Sequence, residues 1–118
     1  RMQLRDYYRV SIAKIRSSVT LKGSDDSIFR GKCRDISMSG AMITLPKNSG
    51  EVELGQTIDE CTISIDDILE LECRGKVRSL HKTDSDTLAG IQFLDLSPAQ
   101  IKPISSALNK IERQNITT

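Results

Sequence analysis

Along most of the chain apolar residues recur at every second position, the period of a strand with one buried face. The clearest run is 69–78, where Leu69, Leu71, Cys73, Gly75 and Val77 alternate with Glu70, Glu72, Arg74, Lys76 and Arg78. The same alternation puts Phe29, Gly31 and Cys33 on one face of 28–36. It does so for Ala41, Ile43 and Leu45 in 41–45, for Cys61, Ile63 and Ile65 in 57–65, and for Ala89, Ile91 and Phe93 in 87–94. A first strand over 9–21 changes phase, with Val10 and Ile12 even but Ile15, Val19 and Leu21 odd, so a bulge or corner near Ala13-Lys14 is expected. Turn-forming segments at 23–26, 46–50, 66–67 and 82–86 separate these runs, and no strand–helix alternation marks a parallel sheet. Six antiparallel strands are predicted.

The last segment switches period. Ser97 can cap, Pro98 suits the first helical position, Gln100 completes a capping box, and Ile101, Ile104, Leu108 and Ile111 form a stripe. A C-terminal helix over about 97–114 should therefore pack on the sheet or barrel. Pro103 has no N–H to donate, so the helix is expected either to kink there or to begin near Lys102.

Composition narrows the classes. With 118 residues the chain fits one domain. It carries no run of about 18 apolar residues and no signal-like apolar core, so a cytoplasmic protein, or a fragment of one, without membrane insertion is expected. Cys33, Cys61 and Cys73 lack a C-x-x-C pair or neighbouring histidines, which fits buried thiols rather than a disulfide framework or zinc site. The lone His81 has no nucleophile partner, so it reads as an exposed strand-end residue. No catalytic residue or metal ligand is assigned, and the expectation is a protein that is not an enzyme. Residues 1–34 hold nine Lys or Arg against three Asp, whereas 51–72 hold eight acidic residues and no Lys or Arg. The basic third fits an anionic partner; the acidic stretch argues against a barrel wrapped in a nucleic-acid polymer.

Two short strings remain. Arg5-Asp6-Tyr7-Tyr8-Arg9 places two guanidinium forks four residues apart, and Arg is the side chain whose planar donors match guanine O6 and N7 or two phosphate oxygens. Asp35-Ile36-Ser37-Met38-Ser39-Gly40 supplies a carboxylate that can accept from guanine N1–H and N2, a hydroxyl expected on the same side two residues on, and a glycine free to take positive φ. Alone, each has an ordinary alternative: solvated terminal charges for the arginines, a backbone-capping turn for Asp-x-Ser. Together, in this order and separated by a long strand, they describe a shallow guanine-nucleotide site.

R-x-x-x-R followed by D-x-S-x-x-G resembles the PilZ domain, the bacterial receptor module for cyclic di-GMP, and the resemblance extends through Gly90-Ile91-Gln92-Phe93 to the terminal helix. It implies a six-stranded antiparallel β-barrel over 10–118 with an appended helix, and a ligand-binding switch loop over 1–9. It also implies cyclic di-GMP as ligand, without metal, and Arg5, Arg9, Asp35, Ser37 and Gly40 as its ligand residues. Leu4, Tyr7 and Ser39 are accessory candidates. Gln3 to Arg9 looks like the flagellar-brake branch, in which an N-terminal domain precedes the PilZ domain. Many members carry Arg where this chain has Leu4, which favours one ligand per domain over a stacked ligand pair. The implied function is a switch coupling second-messenger binding to motility, biofilm or virulence, through an upstream domain or a downstream protein partner; a homodimer stays open. The alternative is a ligand-independent PilZ-like interaction module.

Overall fold

Six strands close into an antiparallel barrel, and a short seventh lies alongside. The computed structural model describes residues 10–12, 14–47 and 52–117, with side chains described as far as Arg113. The strands are β1 (Val10–Ser11), β2 (Ser17–Gly23), β3 (Ile28–Ile36), β4 (Gly40–Pro46), β5 (Thr57–Ile65), β6 (Leu69–Lys82) and β7 (Asp86–Leu94), followed by helix α1 (Pro98–Thr117). Neighbours run β3-β2-β5-β6-β7-β4, and β4 pairs back onto β3 to close the ring.

The predicted strand over 9–21 is two strands on one edge of β3. β1 pairs Val10 with Ile36 and Ser11 with Asp35, while β2 pairs Val19 with Gly31. From Ser11 to Val19 the chain takes eight steps while β3 takes four from Gly31 to Asp35, so the surplus forms a corner at the position where the phase change predicted one. Ile15 N–H donates to Ile12 O (2.9 Å) in that corner. The Ser17 hydroxyl bridges the gap, accepting from Cys33 N–H (3.0 Å) and donating to Cys33 O (3.3 Å).

Three further phase changes come from bulges. Register shifts at Cys33/Asp35 against β4, Ile58/Cys61 against β6 and Val77/Ser79 against β7 put extra residues, Arg34, Asp59-Glu60 and Arg78, on the outside. Each lets the inward set resume: Ile36 after Cys33, Cys61 after Ile58, and half-buried Leu80 after Val77. β6 therefore runs to Lys82 rather than stopping at Arg78, because the lost alternation marks a bulge and not an end. His81 is exposed near the end of β6, as expected. The inward residues form one aliphatic core that includes Val19, Leu21, Ile43, Leu45, Ile63, Ile65 and Val77.

Helix α1 closes one side of this core, packing against β6 and β1. It starts at Pro98 and runs through Pro103, so neither a start near Lys102 nor a break at the proline is found. The start is fixed where the capping pattern put it: Ser97 N–H donates to Gln100 Oε1 (2.8 Å), and Ile101 N–H donates to Ser97 O (3.0 Å). That anchoring outweighs the single backbone bond Pro103 cannot make. Ile104, Ala107, Leu108 and Ile111 are buried, but Ile101, expected in the same stripe, is exposed. Cys33, Cys61 and Cys73 are free and buried.

Candidate ligand site at the turn between β3 and β4

The carboxylate string lies where three strands meet the first. Val10, Ile36, Ala41, Ile91 and Val77 are register partners across β1, β3, β4, β7 and β6 and form one buried row. One step along, pointing outward, runs the row Ser11, Asp35, Met42, Gly90 and Ser79. Asp35 is thus half-buried on the barrel's outer wall, between the strand that brings the chain in from its N-terminal side and the strand beyond the turn.

The turn at 37–39 is built from serine. Ser37 N–H donates to Gly40 O (2.8 Å), and Ser37 Oγ donates to the same carbonyl (3.3 Å) while accepting from Ser39 N–H (3.3 Å). Ser39 O accepts from Phe93 N–H (2.9 Å), which ties the turn to β7. β3 stops at Ile36, so the period-two rule that placed Ser37 beside Asp35 on the exposed side does not reach it. Ser37 is buried, at 4% exposure, and Ser39 is the exposed hydroxyl. Gly40 also differs from expectation: it is not among the positive-φ residues. Glycine is needed there because a Cβ would sit 2.3 Å from the backbone oxygen of Ile91.

Around the turn the outer wall carries several cations. Gly90 has no side chain, and Ser79 Oγ occupies the space its Cβ would take, 2.3 Å from that position. Gly40, Gln92 and Lys76 form the next row, and Arg78, pushed outward by its bulge, donates through Nε to Gln92 Oε1. On the other side Arg30, Lys32 and Arg34 are exposed along β3, and a cleft of about 330 Å³ lies beside Lys32, Arg34, Thr44 and Asp86. The acidic stretch is elsewhere: the row Arg30, Thr20, Thr62, Glu72 passes from cation through two hydroxyls to carboxylate on reaching β6. The wall bearing Asp35 is therefore the positive one.

Beneath it, Cys33 donates through Sγ to Asp35 O (3.4 Å). Burial, reinforced by the Asp35 carboxylate, pushes its thiol up to about 12, so it stays protonated at neutral pH. Among the described residues no cluster of three or more His, Cys, Asp or Glu could hold a metal ion. The pairs Asp25-Asp26, Asp59-Glu60 and Asp66-Asp67 are exposed.

Of the expected site residues, the structure brings together Asp35, Ser37, Ser39 and Gly40. Leu4, Arg5, Tyr7 and Arg9 lie outside the described residues. Sequence reading missed Met42, Ser79, Arg78 and Gln92 as neighbours of the turn. The signal was present for Arg78: apolar residues at 77 and 80 instead of 77 and 79 mark a bulge.

The model of the PilZ domain family matches residues 3–110. The chain belongs to the PilZ family. No curated protein sequence matches it. Among solved structures it is similar to the PilZ domain with c-di-GMP of YcgR from Escherichia coli, at TM-score 0.78 and 16% identity, over 92% of this chain and 91% of that one. It is also similar to the MrkH–c-di-GMP complex of K. pneumonia, at TM-score 0.81 and 12% identity, over 93% of this chain and 53% of that one. A third match is the inhibitor of motility MotI/DgrA of Bacillus subtilis, at TM-score 0.68 and 12% identity, covering 93% and 51%. This PilZ domain thus spans about half the length of the two longer proteins. At these identities the likeness shows the fold: a closed six-stranded barrel, an extra strand and a C-terminal helix. No described helix is long and apolar enough to cross a membrane.

Proposed function

We propose that this PilZ domain is a receptor for cyclic di-GMP, with residues 1–9 as a switch loop that closes over the ligand. The observation that carries the reading is the register Val10 to Ile36 and Ser11 to Asp35. It sets Val10, the residue that follows Arg9 in sequence, beside the Asp35–Gly40 turn, which supports the arginine string reaching that turn. A trans peptide sets consecutive Cα atoms about 3.8 Å apart, so Arg9 is one such step from Val10 and Arg5 five. Arg5 and Arg9 would then grip guanine and phosphate, and Asp35 would accept from the guanine N1–H and N2 edge. Ser37 shapes the turn and Gly40 allows its close approach to β7; Ser39 is the hydroxyl open to the ligand. The cationic wall of Arg30, Lys32 and Arg34 adds attraction for a ligand with two phosphate charges.

Binding of this kind shifts a conformational equilibrium through contacts made only in the closed loop. Leu4 in place of the further arginine of many relatives favours one ligand per domain. The output would be motion of whatever adjoins the N-terminal side, read by an upstream domain or a protein partner and directed to motility, biofilm or virulence.

Isothermal titration with cyclic di-GMP tests the reading, with GMP and cyclic di-AMP as controls. Saturable binding near one ligand per chain is expected, weakened at least about tenfold by Arg9→Ala and by Asp35→Ala, since each removes charge-assisted hydrogen bonds. Both variants should keep wild-type thermal unfolding. No heat with the wild type would turn the assignment to a ligand-independent interaction module, and equal affinity for cyclic di-AMP would remove the guanine reading of Asp35.

A further inference from the structure

Away from the ligand wall, β5 and β6 place two thiols face to face. Cys61 and Cys73 are direct register partners, both directed into the barrel, one on each side of the same antiparallel pair. Antiparallel partners lie about 4.5–5.5 Å apart at Cα, inside the span of about 4.4–6.8 Å that a disulfide bridges. The register shift between Ile58 and Cys61 leaves the strand beside Cys61 a place to adjust. The two residues differ in access. Cys61 is fully buried, whereas Cys73 keeps 6% exposure, beside an open concavity of about 300 Å³ bordered by Asp59, Glu72, Arg74, Leu94, Asp95 and Gln100. Its rim is held by the Arg74–Asp95 ion pair (2.9 Å) and by Gln100 Nε2 donating to Glu72 O (2.6 Å).

We propose that Cys61 and Cys73 form an oxidisable dithiol whose reaction partner is a hydroperoxide, met by Cys73 and resolved by Cys61. The hydrogen bond donated by the Cys61 thiol draws the Cys73 thiol below its ordinary value, while the same bond and burial push Cys61 up. Cys73, the less buried of the pair, is the nucleophile, and fully buried Cys61 keeps its proton until the second step. In the first step the Cys73 thiolate attacks one oxygen of hydrogen peroxide. The O–O bond breaks, the leaving oxygen departs as water after taking a proton, and Cys73 becomes a sulfenic acid. In the second, Cys61 loses its proton and attacks that sulfur; the S–O bond breaks, the oxygen leaves as a second water, and the S–S bond forms. Two thiols are oxidised and one peroxide is reduced to two waters. Cys33, paired with Ile43 on β4 and hydrogen-bonded through Sγ to Asp35 O, has no facing thiol in its own register.

The test is thiol counting on the folded chain after hydrogen peroxide treatment, followed by quenching, denaturation and non-reducing peptide mapping. Of the three cysteines, one thiol should remain, on Cys33. The chain should stay monomeric on a non-reducing gel, lose the mass of two hydrogens, and yield a linked pair of peptides containing Cys61 and Cys73. Cys33→Ala should oxidise as the wild type does; Cys61→Ala should stop at a trappable sulfenic acid on Cys73. Three thiols surviving in the folded wild type under peroxide that oxidises the unfolded chain would overturn the proposal. So would a link through Cys33 or a cross-linked dimer. The wild-type count decides even if the Cys61 variant fails to fold, and neither outcome depends on the cyclic di-GMP reading.

Discussion

Two turns of this barrel have the same length and opposite construction. β3 and β4 are joined by residues 37–39, and β5 and β6 by residues 66–68. In the second, chain reversal is carried by Asp66 at φ +41°, with Ile68 N–H donating to Ile65 O (2.7 Å) and Asp66 N–H to Arg16 O (2.9 Å). The side chains of Asp66 and Asp67 are left to solvent. In the first, no residue takes positive φ. Reversal rests on a buried serine hydroxyl and on a glycine pressed against β7. The exposed acidic turn rests on backbone bonds alone, one of them to Arg16 O beside β2. The serine turn is built into its neighbours and holds Asp35 and Ser39 outward at a fixed place, as a binding surface requires. Acidic residues beside a turn therefore do not by themselves mark a site; a turn fitted to its neighbours through a buried side chain and a glycine does.

The contrast breaks most sharply at Gly40. A Cβ there meets the Ile91 backbone carbonyl at 2.3 Å, which no rotamer change relieves. Gly40→Ala should cost about 3 kcal/mol, the upper part of the usual range for overpacking, and should show as a lower urea midpoint. Because the strain opens the seam between β4 and β7 beside Asp35, cyclic di-GMP affinity should fall with it. A variant as stable as the wild type would show that the close approach does not constrain the turn.

What the sequence could reveal, and what it could not, divides along the same line. The inward face of every strand was legible from alternation, and so were the corner after Ile12, the cap at Ser97 and the string that forms the serine turn, because each depends on a few consecutive residues. Bulges at Arg34 and Asp59-Glu60 were not, since they arise from pairing between strands; the one at Arg78 left a phase change from Val77 to Leu80 that reads as a strand end. Because they too depend on pairing, the neighbours Met42 and Gln92 escaped notice, as did the facing thiols of Cys61 and Cys73. Gly40 was recognised as necessary for a wrong reason: local rules offer positive φ, and the true constraint is a carbonyl more than fifty positions away. Pro103 misled in the opposite direction, because a local penalty there is outweighed by capping at Ser97 and burial of Ile104, Leu108 and Ile111.

A smaller effect is expected from Ser37→Ala. The variant removes the hydroxyl that accepts from Ser39 N–H and donates to Gly40 O, while Ser37 N–H still reaches that carbonyl. The loss of one buried hydroxyl with a partly compensated acceptor costs about 1–2 kcal/mol. If Ser37 acts on the ligand only by shaping the turn, affinity should drop a few-fold, less than for Asp35→Ala. A loss equal to that of Asp35→Ala would mean instead that the hydroxyl turns outward to touch the ligand.

The smallest effect belongs to the other turn. Asp66→Gly relieves the left-handed conformation of a residue with a Cβ, and it removes a side chain that is already in solvent. Against this, glycine widens the unfolded ensemble by about 0.4–1 kcal/mol. The backbone bond from residue 66 to Arg16 O does not need the side chain and survives. The opposing terms are of similar size, so unfolding free energy should move by no more than about 0.5 kcal/mol. Cyclic di-GMP titration should be unchanged, because this turn lies on the acidic side of the barrel and shares no register row with Asp35. A loss near that of Gly40→Ala would show that both turns are equally tied to their neighbours, and the serine turn would lose its claim to a distinct architecture.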